Sequence, residues 1–122
     1  MRLKLEKWCG YEFSTGISPG EDYLKFQREA KTELRKILLD AGFEMFKFLP
    51  NHYEFSCIAK KADEDRYYYI SISDVRTFRD KWWDAVLYRA MRDEKDYRGE
   101  QNYYCKWGEI GERLIALDAK KR

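Results

Sequence analysis

The hydrophobic period of this chain changes from helical to alternating at Gly42, and that change limits the folds open to it. Before Gly42, Tyr23, Phe26, Ala30, Leu34, Ile37, Leu38 and Ala41 recur at spacings of three and four, the apolar stripe of an amphipathic helix. Ser18 as N-cap, Pro19 at the first helical position and Glu21 completing a capping box predict where this helix starts. Gly42 predicts where it stops, because a left-handed residue is wanted there. From Phe43 onward the period is two. "FEMFKFL" and "HYEFSCIAK" flank "PN" and read as the strands of a hairpin, with Tyr53, Phe55, Cys57 and Ala59 on one face. "KADED" is the next turn, and "RYYYISISDVR" is a third strand with Tyr68, Ile70 and Ile72 on one side.

Three segments complete the expected frame. The opening "LKLEKWCGYEFS" alternates as a half-buried strand does, with Gly10 as a bulge or turn. "DKWWDAVLYRAMRD" fits two structures: a helix would bury Trp83, Val86, Leu87 and Ala90, whereas a strand would alternate around "AVLYRAM". Val86 and Tyr88 tip it toward the strand. Trp107, Ile110, Leu114 and Leu117 are spaced for a second amphipathic helix, whose end "KKR" suits the negative pole of the helix dipole. Without repeat, low-complexity tract or linker, the 122 residues read as a single domain, 1–122. The expected fold is α+β: an antiparallel sheet of four or five strands, with the long N-terminal helix and the C-terminal helix packed on one face.

Composition narrows the chemistry. Aromatic residues make up 17% of the chain, more than a small core can hide, so some tyrosines and tryptophans are expected at a contact surface. Net charge is only +2, weaker than a protein living on phosphate contacts usually shows. Three cysteines without a CxxC, and a single histidine, leave no zinc site of the ordinary Cys/His kind. The cysteines are expected to be free thiols in a soluble, cytoplasmic protein. "MRLKLEKWCG" is no signal peptide, and no stretch reaches membrane-spanning length.

Nucleophilic triads need a histidine, and His52 sits beside a tight turn in "PNHYEF", where imidazole usually caps or faces solvent. "GYEFSTG" lacks the lysine of a phosphate-binding loop. Asp93, Glu94 and Asp96, with Asp74 at a strand end, are the carboxylates from which a Mg²⁺ site could be made. Interleaved with Arg92, Lys95 and Arg98, they read more simply as a self-neutralised surface. No catalytic residue, metal or cofactor is therefore assigned. Binding is the better reading. Arginines alternate with aromatics in "RYYY", "FRDKWW" and "YRGEQNYY", and such alternation suits stacked bases or a protein partner's carboxylates. The candidate partner-binding residues are Arg92, Tyr97, Arg98 and Tyr103 in the loop 93–104, Tyr67 and Tyr69 on the third strand, and Arg79 and Trp82.

The segments "WCGYEFS", "SPGEDYLKFQ", "NHYEFS", "YYYISISDVR" and "VLYRAMRDEKDYRGEQNYYC" resemble the small accessory proteins of phages and conjugative elements. They are also similar to the large polyvalent protein-associated domains. The most specific piece is the strand and loop around "LYR" and "DYRGEQN", where Glu100 stands in place of an expected second glycine. The resemblance implies a setting, in which small proteins handle DNA or block host defences such as CRISPR nucleases. It implies no catalytic residue. The chain is thus expected to be a non-catalytic binding protein of a mobile element, monomeric or homodimeric, acting on a protein or nucleoprotein partner. The alternatives are a direct DNA- or RNA-binding accessory protein and a metal-dependent nuclease.

Overall fold

The computed structural model describes residue 8 and residues 16–51, 54–72 and 85–121. In chain order they form helix α1 (Glu21–Asp40), strands β1 (Phe43–Asn51), β2 (Glu54–Lys61), β3 (Tyr67–Ile72), β4 (Ala85–Met91) and β5 (Tyr103–Lys106), and helix α2 (Ile110–Lys121), which a 3₁₀ turn at Trp107–Glu109 introduces. The five strands make one antiparallel sheet in the order β1-β2-β3-β4-β5. Each strand pairs with the next in sequence, a meander.

Alternation decides which side of the sheet is core. Phe55, Cys57 and Ala59 of β2, Tyr68, Ile70 and Ile72 of β3, and Val86, Tyr88 and Ala90 of β4 are all buried. They join the α1 stripe from Tyr23 to Leu38, and Trp107, Ile110, Leu114 and Leu117, in one cluster. Both helices therefore cover the same face of the sheet. Each large apolar side chain buried there contributes about 1.5–3 kcal/mol. Phe43 meets Tyr68 edge to face at 5.6 Å, and Trp8 meets Phe26 in the same way. Trp8 also donates its indole N–H to Glu29 at 2.7 Å.

The α+β frame is the expected one, with three corrections. Helix α1 begins at Glu21 behind Gly20, which supplies no side-chain cap, so Ser18 and Pro19 lie outside it. The first turn is instead helped by the acids Glu21 and Asp22, placed at the positive end of the helix dipole. Gly42 does end the helix, at φ +89°. The β1–β2 hairpin does not turn at "PN": Pro50 and Asn51 pair with Phe55 and Glu54. Proline is tolerated there because β1 lies at the edge of the sheet formed by the described strands, where a missing N–H leaves no partner unsatisfied. The fifth strand is β5, in a stretch read as loop. The opening segment expected to be a strand lies outside the described residues except for Trp8, which is in a 3₁₀ turn. Residues 85–91 are the strand that Val86 and Tyr88 favoured.

On the face away from the helices, register places Lys47, Ile58, Tyr69 and Arg89 in one row across β1 to β4. Lys60, Tyr67 and Met91 form the next row, and Ser56, Ser71, Leu87 and Tyr104 the row on the other side. A bulge between Met45 and Lys47 brings Phe46 to this face, where its ring meets Tyr67 at 5.2 Å. No helix among the described residues is long and apolar enough to cross a membrane.

Candidate functional site

The connection from β4 to β5 is built by two side chains that fold it from within. Asp96 is the first. Its Oδ2 accepts from the backbone N–H and from Nε of Arg92, both at 3.0 Å, and its Oδ1 accepts from the Gly99 N–H at 3.2 Å. The Arg92 side chain, then the backbone donors, hold its carboxyl at about 2, below the usual carboxylate range. Asp93 Oδ1 accepts from the Lys95 N–H at 2.8 Å and tightens the same turn. Gly99 is left-handed, φ +62°, and a Cβ there would lie 2.7 Å from the Ala90 carbonyl oxygen. Glu100 then donates its N–H to that same oxygen at 2.9 Å, returning the chain to the sheet. Only one glycine is needed, so Glu100 fits where a second was expected.

Arg89 is the other side chain. It projects from β4 onto the face away from the helices, and its guanidinium lies over the Tyr69 ring, 4.3 Å from the centroid. Nη1 donates to Asn102 Oδ1 at 3.1 Å and Nη2 donates to the Tyr97 carbonyl oxygen. Nε is enclosed and has no hydrogen-bond partner, and the backbone of Gly99 closes over it: a Cβ at that residue would reach 3.0 Å from Nε. One arginine thus ties β3, β4 and the middle and far end of the loop together.

The candidate residues separate accordingly. Tyr97, 43% exposed, and Arg98 stand on the outside of this pinned loop. Arg92 is exposed but spends its Nε on Asp96. Tyr69 is half-buried beneath Arg89, and Tyr67 is half-buried against Phe46. Burial, then the fields of Asp65, Glu94 and Glu44, push the Tyr67 hydroxyl above its ordinary range. Tyr103 does not join them. Its ring stacks on Tyr88 at 5.5 Å and packs against the core, on the helix side of the sheet. The exposed aromatic of β5 is Tyr104, at 66%. Strand alternation puts it on the Arg89 face, so reading residues 103–106 as strand would have exchanged the two tyrosines. Arg79, Trp82, Trp83, Asp74, His52 and Cys9 lie outside the described residues.

The acids of the loop do not neutralise its bases evenly. Asp96 is committed to Arg92 and Gly99, Asp93 to a backbone N–H, and Glu100 to Lys121 of α2. Arg89, Lys95 and Arg98 form no ion pair among the described residues. Arg66, by contrast, is fully used. It holds Asp118 through Nε at 2.7 Å and Nη2 at 3.0 Å, and it also pairs with Glu64. Tyr68 donates its hydroxyl to Asp118 Oδ1 at 2.5 Å. Arg66, then the Tyr68 hydroxyl against opposing burial, leave the Asp118 carboxyl at about 2. That cluster fastens α2 to β3 and offers nothing to a partner.

No three His, Cys, Asp or Glu side chains gather among the described residues as a set able to hold a metal ion. Cys57 and Cys105 are free thiols, and burial pushes both up to about 12, away from nucleophilic use. Comparison with family models, curated proteins and solved structures finds no match.

Proposed function

We propose that this chain is a non-catalytic binding protein of a mobile genetic element, which engages a protein or nucleoprotein partner through its β4–β5 loop. A CRISPR effector of the host is the kind of target its setting suggests. The observation that carries this reading is a loop fixed from inside by Arg89 and Asp96 while Tyr97 and Arg98 are left outside. A pre-ordered loop loses little conformational entropy on docking, so its exposed anchors act at nearly full strength. The resemblance to accessory proteins of phages and conjugative elements supplies the setting and nothing of the chemistry.

Direct nucleic-acid binding is the second reading, favoured by the Arg89–Tyr69 stack. Against it stand the acids around Tyr67 and the small net charge of +2. The test titrates the purified protein into guide-loaded CRISPR effectors and follows both complex formation and target cleavage. Gel shifts with free single- and double-stranded DNA and RNA are run over a range of salt concentrations. A stable complex and falling cleavage, without a shift of free nucleic acid, is the expected result. Tight, steeply salt-dependent binding of free nucleic acid with no effector complex would establish the second reading instead.

A further inference from the structure

The charge left over in the β4–β5 loop identifies what docks there. Arg89 has five N–H donors: one reaches Asn102, one reaches Tyr97, and Nε is enclosed without a partner, which leaves two on its terminal nitrogens. Both acceptors are neutral. The guanidinium is therefore oriented without being discharged, an unusual state for a half-buried arginine. Arg98 lies between Tyr97 and Gly99, two of the residues beside Arg89, and pairs with no carboxylate among the described residues. Tyr97 of the same loop and Tyr104 of β5, on the Arg89 face of the sheet, are exposed aromatics.

We propose that Arg89 and Arg98 form a carboxylate-recognition subsite, and that the partner segment seated on this loop is an acidic peptide segment. This rests on the binding function proposed above and names the chemistry of its partner. Guanidinium matches carboxylate in planarity and charge, and a pre-oriented one loses little entropy on pairing. Phosphate would meet the same two arginines, but a nucleic-acid backbone carries charge at every nucleotide. It would have to run on toward Tyr67, where Asp65, Glu94 and Glu44 set an opposing field. A protein segment can place its acids at the arginines alone.

The full chain, immobilised, is panned against a phage-displayed library of random linear peptides. The recovered peptides are then titrated by fluorescence anisotropy. Peptides rich in Asp and Glu are expected, and amide versions of the same peptides should bind about tenfold or more weakly. Arg98→Glu, an exposed change that touches no internal contact, should weaken binding by a similar factor at an unchanged melting temperature. Arg89→Lys, which keeps the charge but loses the fork, should weaken it too. Peptides selected without acids, or an Arg98→Glu variant of wild-type affinity, would overturn the carboxylate subsite while leaving a binding protein that uses another surface. Single-stranded DNA that displaces the peptides more effectively than their acidic analogues would assign the arginines to phosphate and overturn it as well. Failure of every peptide and every effector to bind would remove both the subsite and the binding function.

Discussion

The guanidinium of Arg89 lies 4.3 Å from the centre of the Tyr69 ring, on the face of the sheet that neither helix covers. Two neutral oxygens, from Tyr97 and Asn102, fix its orientation. The loop that these contacts hold is irregular yet determined, because each of its turns has a named cause in Asp96, Gly99 or Arg89.

Gly99 is the position at which this arrangement should be most sensitive. An alanine Cβ would approach the Ala90 oxygen to 2.7 Å and Arg89 Cδ to 2.8 Å, on a backbone with φ +62°. Left-handed strain and overpacking together should lower stability by roughly 2–4 kcal/mol. Urea denaturation of Gly99→Ala measures this. A change within about 0.5 kcal/mol would show that the loop relaxes freely and is not pinned.

Acid sensitivity should come from two carboxylates. Asp118 and Asp96 are both held at about 2, below their ordinary 3.8. Their contribution is fully present above that ordinary value and is lost as pH falls through the folded values. Stability should therefore decline between about pH 4 and pH 2. Asp118→Asn breaks the pair with Arg66 and should cost about 2–4 kcal/mol near neutral pH. The variant should also show a shallower acid decline in thermal melts. An identical acid limb in both proteins would mean that Asp118 is not depressed by its partners.

The thiols should be sluggish. Cys57, buried between Phe55 and Ala59 along β2, should resist alkylation at neutral pH until the chain unfolds. Cys57→Ser, which puts a hydroxyl into that apolar site, should destabilise by about 1–3 kcal/mol. Peptide-resolved mass spectrometry after iodoacetamide treatment checks the first point. Rapid labelling of Cys57 in the native protein would contradict it.

Much of the fold was legible because period reports burial directly: Tyr68, Ile70 and Ile72 could share only one face, and they do. Punctuation residues misled where a weaker signal competed with a strong one. Ser18-Pro19 has the form of a helix start, but the chain becomes helical only after Gly20. Pro50 looks like a turn, yet edge strands admit proline. The loop was harder. Asp96 and Gly99 carry a local signal, an aspartate whose carboxylate meets an N–H three residues on, and could have been read as a turn. Arg89 could not have been found so easily. Its importance comes from contacts with Tyr69, Tyr97 and Asn102, distant in sequence and adjacent only once the strands are in register. Ile58 shows the same limit, buried on the face where alternation predicts exposure.

The measurement that bears most directly on the central claim pairs affinity with melting temperature in the double variant Tyr97→Ala, Arg98→Ala. Both side chains stand outside the loop that Arg89 and Asp96 hold. Their truncation should remove about 1–4 kcal/mol of binding each to whichever effector or acidic peptide the wild-type chain is found to bind. Stability should move by no more than about 0.5 kcal/mol for each change. Unchanged affinity in a variant with the wild-type melting temperature would contradict the claim and move the search for the binding surface to Tyr67, Tyr69 and Tyr104.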